Sequence, residues 1–343
     1  MYLLSYITPL CQNWCAGRQN DDIYDMLPYT LDNNLIYGYC DGIFNPEHKT
    51  TVDSLKCSYA RATRVPGTFK EECIITAKIL GQEAARLNRI PMIFLSGGLD
   101  SEVVVKAFIE AGVDFQTVTF KFKDNLNQHE IHYVEKFCKN HGLTPRYLEI
   151  DILDWIETAE ARDMFISSYC TYPEMLPHMK LMNTVWNEWQ GMPVLGNGDL
   201  YVVRDINPIW RMQDKTASQY IWNYVEYEYI LAWFRHAVRN HIVGGIGFFQ
   251  HTPEITLSMA LDSRIQDVCN NLNPYKMSSR STKYVVYKHH WPDLEIRPKW
   301  NGGELVANLY YSKAREFSKS FNLSYNDKWS LEYNEFVNLL KPL

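Results

Sequence analysis

Apolar and polar positions alternate along the middle of the chain with two distinct periods. Between residues 71 and 88 the apolar side chains recur every three or four positions, which is typical of a helix with one buried face. The run Met92–Leu95 is apolar throughout and predicts a strand that is covered on both sides. Strands that alternate with helices pair in parallel through right-handed crossovers, so the pattern predicts an α/β fold with a parallel sheet. The same two patterns then predict helices over 101–111 and 127–140 and strands over 115–122 and 146–150.

The two ends of the chain follow less regular patterns. Residues 1–70 are rich in Tyr, Asn, Asp and Gly with short apolar runs, which predicts a small N-terminal appendage of strands and loops beside a main domain over 71–343. After residue 152 the chain becomes aromatic and helical, with one further predicted strand at 192–195. A glycine-rich stretch at 244–247 follows no strand pattern, and we interpret it as a turn between helices.

Composition narrows the class of protein. The 343 residues suit two domains, or one large domain with an appendage, and 46% hydrophobic with 22% charged residues is an ordinary globular balance. The net charge of −6 argues against a protein that wraps nucleic-acid backbone, although a small basic groove stays compatible with it. The chain has no apolar run of about 18 residues and no signal-peptide pattern, so we expect a cytoplasmic protein without a membrane span. The aromatic stretch 216–240 predicts one or two helices that cover the sheet or bind a second copy of the chain.

One short motif, Ser96–Ser101, has the composition of an anion-binding turn. It reads Ser-Gly-Gly-Leu-Asp-Ser and lies between a predicted strand and a predicted helix. Adjacent glycines allow a tight turn with amide hydrogens directed into a concavity, and the helix start adds N–H groups and a positive dipole end. Ser96 and Ser101 offer hydroxyl donors, and Asp100 suits a Mg²⁺ ion that bridges a phosphate. Each residue alone also fits an ordinary turn at a helix start, but the whole hexapeptide in this context favours a phosphate site.

The hexapeptide resembles the pyrophosphate loop of the N-type ATP pyrophosphatases, the PP-loop proteins. Its surroundings, from about residue 75 to residue 305, resemble the synthetase domain of the asparagine synthase family. The resemblance implies an adenine nucleotide alpha hydrolase-like α/β fold, in which a helical C-terminal half closes over a parallel sheet. It also implies that a nucleotide binds at the carboxyl ends of the strands.

The resemblance assigns roles to residues outside the loop as well. Thr119 and Phe120 lie in the strand whose backbone meets adenine in that family. The segment 194–199 resembles the family's second glycine loop, which borders ATP and supplies an acid to the metal, here Asp199 beside Asp100. The residues implied in this way to contact ATP are Ser96, Gly97, Gly98, Leu99, Asp100, Ser101, Thr119, Phe120, Leu195, Gly196 and Lys283.

The family reaction joins a carboxylate to an amine. The carboxylate attacks the α-phosphorus of ATP, pyrophosphate leaves on Mg²⁺, and ammonia or an amine attacks the acyl-adenylate to give an amide and AMP. The resemblance implies this reaction here, with ATP and Mg²⁺ as cofactors and a small-molecule carboxylate and amine as substrates. Lys283 matches the family lysine that meets the pyrophosphate, so Lys283 and Asp100 would stabilise the charge of the leaving group. Glu228, in the aromatic stretch, is the candidate for proton transfer.

Three positions depart from the family pattern. Glutamine-dependent members need a cysteine directly after the initiator methionine, and Tyr2 stands there, so we expect no functional glutaminase domain. Asn197 stands where members often carry an acid, so the family's proton-transfer scheme does not carry over directly. Glu102 adds negative charge next to the loop, and we expect it to face away from the phosphates or to help hold metal.

Two other functions stay open at this point. One is a PP-loop enzyme that adenylates a nucleotide or a tRNA base, which a basic groove would serve. The other is a nucleotide-binding interaction protein without catalysis, which the presence of Asp100, Asp199 and Lys283 disfavours. Formation of ADP and phosphate, rather than AMP and pyrophosphate, would remove the adenylation chemistry, and ATP binding without turnover would favour the interaction protein.

Overall fold

The computed structural model describes residues 35–45, 50–59, 63–167, 176–196, 201–202, 221–222, 233, 236–237, 240–260, 262–264, 279–295 and 313. The first described elements are two strands, β1 (Leu35–Asn45) and β2 (Thr50–Tyr59). They pair antiparallel, with an irregularity in register between Cys40 and Ile43. Short strands were expected in this part of the chain, and the hairpin confirms that expectation.

A parallel sheet of five strands forms the centre of the described structure. The strands after the hairpin are β3 (Ile90–Phe94), β4 (Gln116–Phe122), β5 (Arg146–Ile150), β6 (Gly191–Leu195), β7 (Tyr201–Val202), β8 (Ile221–Trp222) and β9 (Gly245–Ile246). The order in the sheet is β5-β4-β3-β6-β9, so the first strand of the alternating pattern lies in the middle and the chain adds strands on both sides of it. This arrangement confirms the predicted α/β fold class. Strands β7 and β8 form a separate antiparallel pair.

Two of the helix ends carry clear capping signals in the sequence. The first helix begins at a capping box, in which Thr68 and Glu71 bond each other's backbone amides. The second ends at Gly112, whose φ of 65° is the left-handed conformation that glycine adopts at low cost. The helices are α1 (Phe69–Arg86), α2 (Leu99–Ala111), α3 (Gln128–Asn140), α4 (Ile152–Trp155), α5 (Ala159–Ser167), α6 (Leu176–Asn183), α7 (Pro253–Ala260) and α8 (Ser279–His290).

The main hydrophobic core joins α1, α2 and α8 to β3 and β6. Because β3 and β6 are central strands, both of their faces are covered and their residues are apolar without alternation. In the described part of the chain, no helix is both long enough and apolar enough to cross a membrane. Buried members of this core include Ala77, Ile93, Val104, Val194, Phe248 and Tyr287.

One prediction about the second half of the chain is wrong, and another is correct only in part. The stretch 244–247 is not a turn between helices, because Gly245 and Ile246 form β9 and pair with the end of β6. A strand of two residues is too short to show a period. The glycine before it serves close packing, since a Cβ on Gly244 would lie 2.3 Å from the carbonyl oxygen of Pro193. Within 216–240, where helices were predicted, the described positions 233 and 236–237 are helical, but Ile221–Trp222 forms strand β8.

Candidate functional site

The Ser96–Ser101 loop lies at the carboxyl end of the central strand β3. The amide of Leu95 donates to the carbonyl of Val118 in β4 at 2.8 Å, which fixes the chain just before the loop. Gly98 is the N-cap of α2 and, as a glycine, it makes no side-chain cap hydrogen bond. A helix start whose cap lacks a side chain leaves room for an external anion to take that place.

The two serines of the loop hydrogen-bond within the loop. The Ser101 hydroxyl donates to the Gly98 carbonyl at 2.8 Å and accepts from the Ser96 amide at 3.1 Å. The Gly98 amide donates to the Ser96 hydroxyl oxygen at 3.3 Å. Ser101 is buried, and its single hydroxyl proton is directed at Gly98. The serines therefore close the loop into a fixed shape.

Glycines allow two neighbouring elements to approach the loop closely. Gly97 has a φ of +74°, and a Cβ there would lie 2.7 Å from the carbonyl oxygen of Glu130 in the first turn of α3. A Cβ on Gly196, directly after β6, would lie 3.0 Å from the Cα of Ser101. The structure thus brings the end of β6, at Gly196, against the start of α2, and the proposed contact of Leu195 and Gly196 with ATP stays a prediction.

Asp100 is held by a residue that the sequence analysis did not assign to the site. The Tyr287 hydroxyl donates to Oδ1 of Asp100 at 2.9 Å, so α8 reaches the loop. Lys283 lies four residues earlier in α8, on the same side of the helix as Tyr287. The backbone position of Lys283 is described, and its side chain lies outside the described residues.

Thr119 and Phe120 lie near the carboxyl end of β4, beside the strand that carries the loop. Thr119 is buried, and the Phe120 ring meets the His178 ring edge-on with 5.3 Å between centroids. The side chain of Asn127 accepts from the Phe122 amide at 2.9 Å and donates to the Phe120 carbonyl at 3.2 Å. Asn127 therefore fixes the end of β4 to the start of α3. The sequence analysis did not assign Asn127 to the site, and its position directly before a predicted helix is the sequence feature that could have indicated this role.

Ionisable groups near this edge have shifted pKa values. The Glu130 side chain is exposed over much of its surface, but desolvation of its carboxyl where α3 packs on the loop raises its pKa to about 7, against a smaller opposing effect of the hydrogen bond with Asn127. Burial lowers the pKa of His178 to about 4, so its imidazole is neutral at physiological pH. Perturbed groups at the carboxyl edge of a parallel sheet are typical of a functional site.

Glu102 lines a pocket on the side of α2 that faces α3. The pocket has a volume of about 270 Å³, and residues 293–295 also line it. Lys106, one turn further along α2, forms an ion pair with Asp293 across it. This position agrees with the expectation that Glu102 turns away from the phosphates.

The remaining predicted residues lie outside the described part of the chain. Asp199, Asn197 and Glu228 are among them, so their roles stay predictions. Within the described ranges, no group of three or more His, Cys, Asp or Glu side chains is placed to hold a metal ion.

Comparison with known proteins gave one family match and distant structural matches. The family model described as "Queuosine biosynthesis protein QueC" matches residues 91–172, which run from β3 past α5 and include the loop. The NMN synthetase of Francisella tularensis is 14% identical, with 68% of this chain and 100% of that chain covered and a TM-score of 0.29. The glutamine-dependent NAD⁺ synthetase of Acinetobacter baumannii, solved with ADP, is 14% identical, with 74% and 50% covered and a TM-score of 0.28. No curated protein matches the chain.

The family match falls on the segment that carries the loop, and it supports the PP-loop ATP pyrophosphatase class of protein. The finer resemblance to asparagine synthase stays a prediction.

Proposed function

We propose that this chain is an ATP-dependent ligase that forms AMP and pyrophosphate. The observation that supports it best is the loop Ser96–Ser101, which is closed by its own serines at the start of α2 and carries Asp100 in the first helical turn. Backbone amides of the loop and of the helix start would bind the pyrophosphate oxygens of ATP. Thr119 and Phe120 would border the adenine.

The loop also fits Mg²⁺ that arrives with the nucleotide. Mg²⁺ in proteins is held by one or two carboxylates together with substrate phosphates, rather than by a cage of protein ligands. Asp100 supplies one carboxylate beside the proposed phosphate position, and Asp199 is the proposed second ligand. Bound Mg²⁺ would supply positive charge to the pyrophosphate. Lys283, on the Tyr287 side of α8, would add a second positive charge.

The proposed reaction adenylates a carboxylate and joins it to ammonia or an amine. The carboxylate oxygen bonds to the α-phosphorus as pyrophosphate departs, and the amine nitrogen then displaces AMP from the acyl carbon. Glu228 is the proposed group for the proton that the amine loses. Fixed amides and cations act where charge develops, which is the contribution that this kind of site makes to rate.

A second candidate is a PP-loop enzyme that adenylates a nucleoside or a nucleotide base. The match to a family described by its role in the biosynthesis of queuosine, a nucleoside, favours it. Adenylation would activate a carbonyl or carboxyl group of the base for attack by nitrogen. Both candidates share the loop and Asp100, and they differ in the acyl donor.

The test is incubation with ATP, Mg²⁺ and pools of small carboxylates or nucleosides, each with ammonia and amines. We expect AMP and pyrophosphate in a pool-dependent manner, and the productive pool decides between the two candidates. Formation of ADP and phosphate would contradict the adenylation chemistry. ATP binding without turnover in any pool would instead favour an interaction protein.

A matched pair of variants tests the site. Asp100→Asn keeps the size of the side chain and an oxygen that accepts from Tyr287, but removes the charge that metal needs. We expect it to lower AMP formation by about a hundredfold or more, on the scale of losing a major charge contact in the transition state. Asp114→Asn, at an exposed position beyond the far end of α2, is the control and should leave the rate unchanged.

A further inference from the structure

A buried hydroxyl connects α8 to the loop. Tyr287 is 1% exposed, and its hydroxyl donates to Oδ1 of Asp100 at 2.9 Å across a separation of 187 residues in sequence. A carboxylate that accepts a hydrogen bond from a buried O–H loses rotational freedom about its side-chain torsions. The direction of the Asp100 carboxylate is therefore set in part by α8.

The Tyr287 ring is packed without help from the hydroxyl. It stacks on Phe69 with 5.6 Å between centroids and on Phe249 with 6.0 Å. A phenylalanine would fill the same space and make the same stacking contacts. The hydroxyl at this buried position is therefore accounted for by its bond to Asp100.

The segment after α8 ties that helix to α2. Trp291 donates from its indole N–H to Oε1 of Glu110 at 2.7 Å, and Asp293 pairs with Lys106. Glu110 and Lys106 are residues of α2, one turn apart. These two contacts hold the C-terminal end of α8 against α2. They therefore fix the position of the Tyr287 hydroxyl along the axis of α2, next to Asp100.

We infer that Tyr287 is a positioning residue that orients the Asp100 carboxylate for the metal of a metal–ATP complex. The inference rests on the proposed function, because it assigns Asp100 to that metal. Tyr287 itself touches neither nucleotide nor metal in this account. It acts by holding one carboxylate oxygen so that the carboxylate faces the phosphates in one orientation.

The experiment compares Tyr287→Phe with Tyr147→Phe in the full chain. Tyr147 also donates its hydroxyl to a carboxylate, Oε1 of Glu135 at 3.4 Å, but it lies in β5 at the edge of the sheet. Mn²⁺ binding in the presence of ATP is measured by equilibrium dialysis, as the excess of Mn²⁺ on the protein side over the Mn²⁺ that ATP alone holds. We expect the dissociation constant to rise about tenfold in Tyr287→Phe, the scale of one hydrogen bond to a charged group, and to stay unchanged in Tyr147→Phe.

Two further readouts separate positioning from a general structural effect. In an Asp100→Asn background, adding Tyr287→Phe should weaken Mn²⁺ binding no further, because the carboxylate it orients is already gone. The Mg²⁺ concentration for half-maximal AMP formation should rise in Tyr287→Phe, with the KM for the carboxylate unchanged.

The outcomes are distinct. If the wild-type chain binds no Mn²⁺ with ATP, the proposed function fails and the inference falls with it. If the wild type binds and Tyr287→Phe binds equally well, the inference alone is overturned. A Tyr287→Phe chain that does not fold also overturns it, because the ring is retained and the hydroxyl would then have a structural role.

Discussion

Replacing Gly97 with alanine tests how the loop is packed. The residue has a φ of +74°, a conformation that alanine adopts only with strain. The added methyl would also lie 2.7 Å from the carbonyl oxygen of Glu130, and that oxygen belongs to the backbone of α3. Neither problem can be relieved by the rotation of a side chain, so the loop and α3 would have to separate.

The expected loss of stability has two parts. The left-handed conformation costs an alanine roughly 1–2 kcal/mol in the folded state. Alanine also lowers the conformational entropy of the unfolded chain, which offsets about 0.4–1 kcal/mol of that cost. Forcing extra atoms into a packed contact costs about 1–3 kcal/mol more. We therefore expect Gly97→Ala to lower the free energy of unfolding by about 1–4.5 kcal/mol.

Gly112→Ala isolates the conformational part. Gly112 has a φ of +65°, nearly the same as Gly97, and a Cβ there would meet no heavy atom within 4 Å. We expect this variant to lose only about 1 kcal/mol. Urea denaturation of both variants, with equal slopes, measures the two free energies of unfolding. If Gly97→Ala loses no more than Gly112→Ala, the close contact between the loop and α3 is not a determinant of the fold.

Three further predictions follow from the same edge of the sheet. Gly98→Ala, with ordinary backbone angles and only the Ser96 hydroxyl near its new methyl, should cost under about 1 kcal/mol in urea denaturation, yet weaken ATP binding in calorimetry by crowding the phosphate position. The pKa of Glu130 is about 7 in the folded chain against an ordinary value of 4.5, so the folded state holds this proton more tightly than the unfolded state. Its contribution to the free energy of unfolding is therefore fully present below pH 4.5 and is lost as the pH rises to about 7. Glu130→Gln should therefore raise the melting temperature, relative to wild type, more at pH 8.5 than at pH 5; an equal change at both would contradict the assignment. Asn127→Asp places a carboxylate against the Phe120 carbonyl and should lower the free energy of unfolding by about 2–3 kcal/mol, with partial recovery at low pH as the control.

Regular elements with a full period could be predicted closely from sequence. The strand predicted over 146–150 is β5, and the helices predicted over 101–111 and 127–140 differ from α2 and α3 by two residues or fewer at either end. The two helices are several turns long, so their local pattern determines them. Strand β9 could not be predicted, because its two residues acquire strand geometry only by pairing with β6.

The position of the loop could be predicted as well, since a strand, two glycines and a helix occur in sequence order. The bond from Tyr287 to Asp100 could not. Tyr287 falls in an apolar helical pattern that assigns it to the core, and its ring does lie there. Only the three-dimensional fold brings its hydroxyl to a carboxylate 187 residues earlier.

The internal hydrogen bonds of the loop decide which of its groups recognise a ligand. The Ser101 hydroxyl proton points to the Gly98 carbonyl, and the Ser96 hydroxyl oxygen accepts from the Gly98 amide, so both serines serve the shape of the turn. Under the proposed function, recognition of phosphate would then fall mainly to backbone amides, which would not distinguish one acyl donor from another. Selectivity for the acyl donor would depend on side chains outside the loop, and among the described residues the neutral His178, in edge-on contact with Phe120 beside the proposed adenine position, is a candidate. We therefore expect variation at His178 to change which pool of acyl donors supports AMP formation, while changes inside the loop should lower AMP formation with all donors alike.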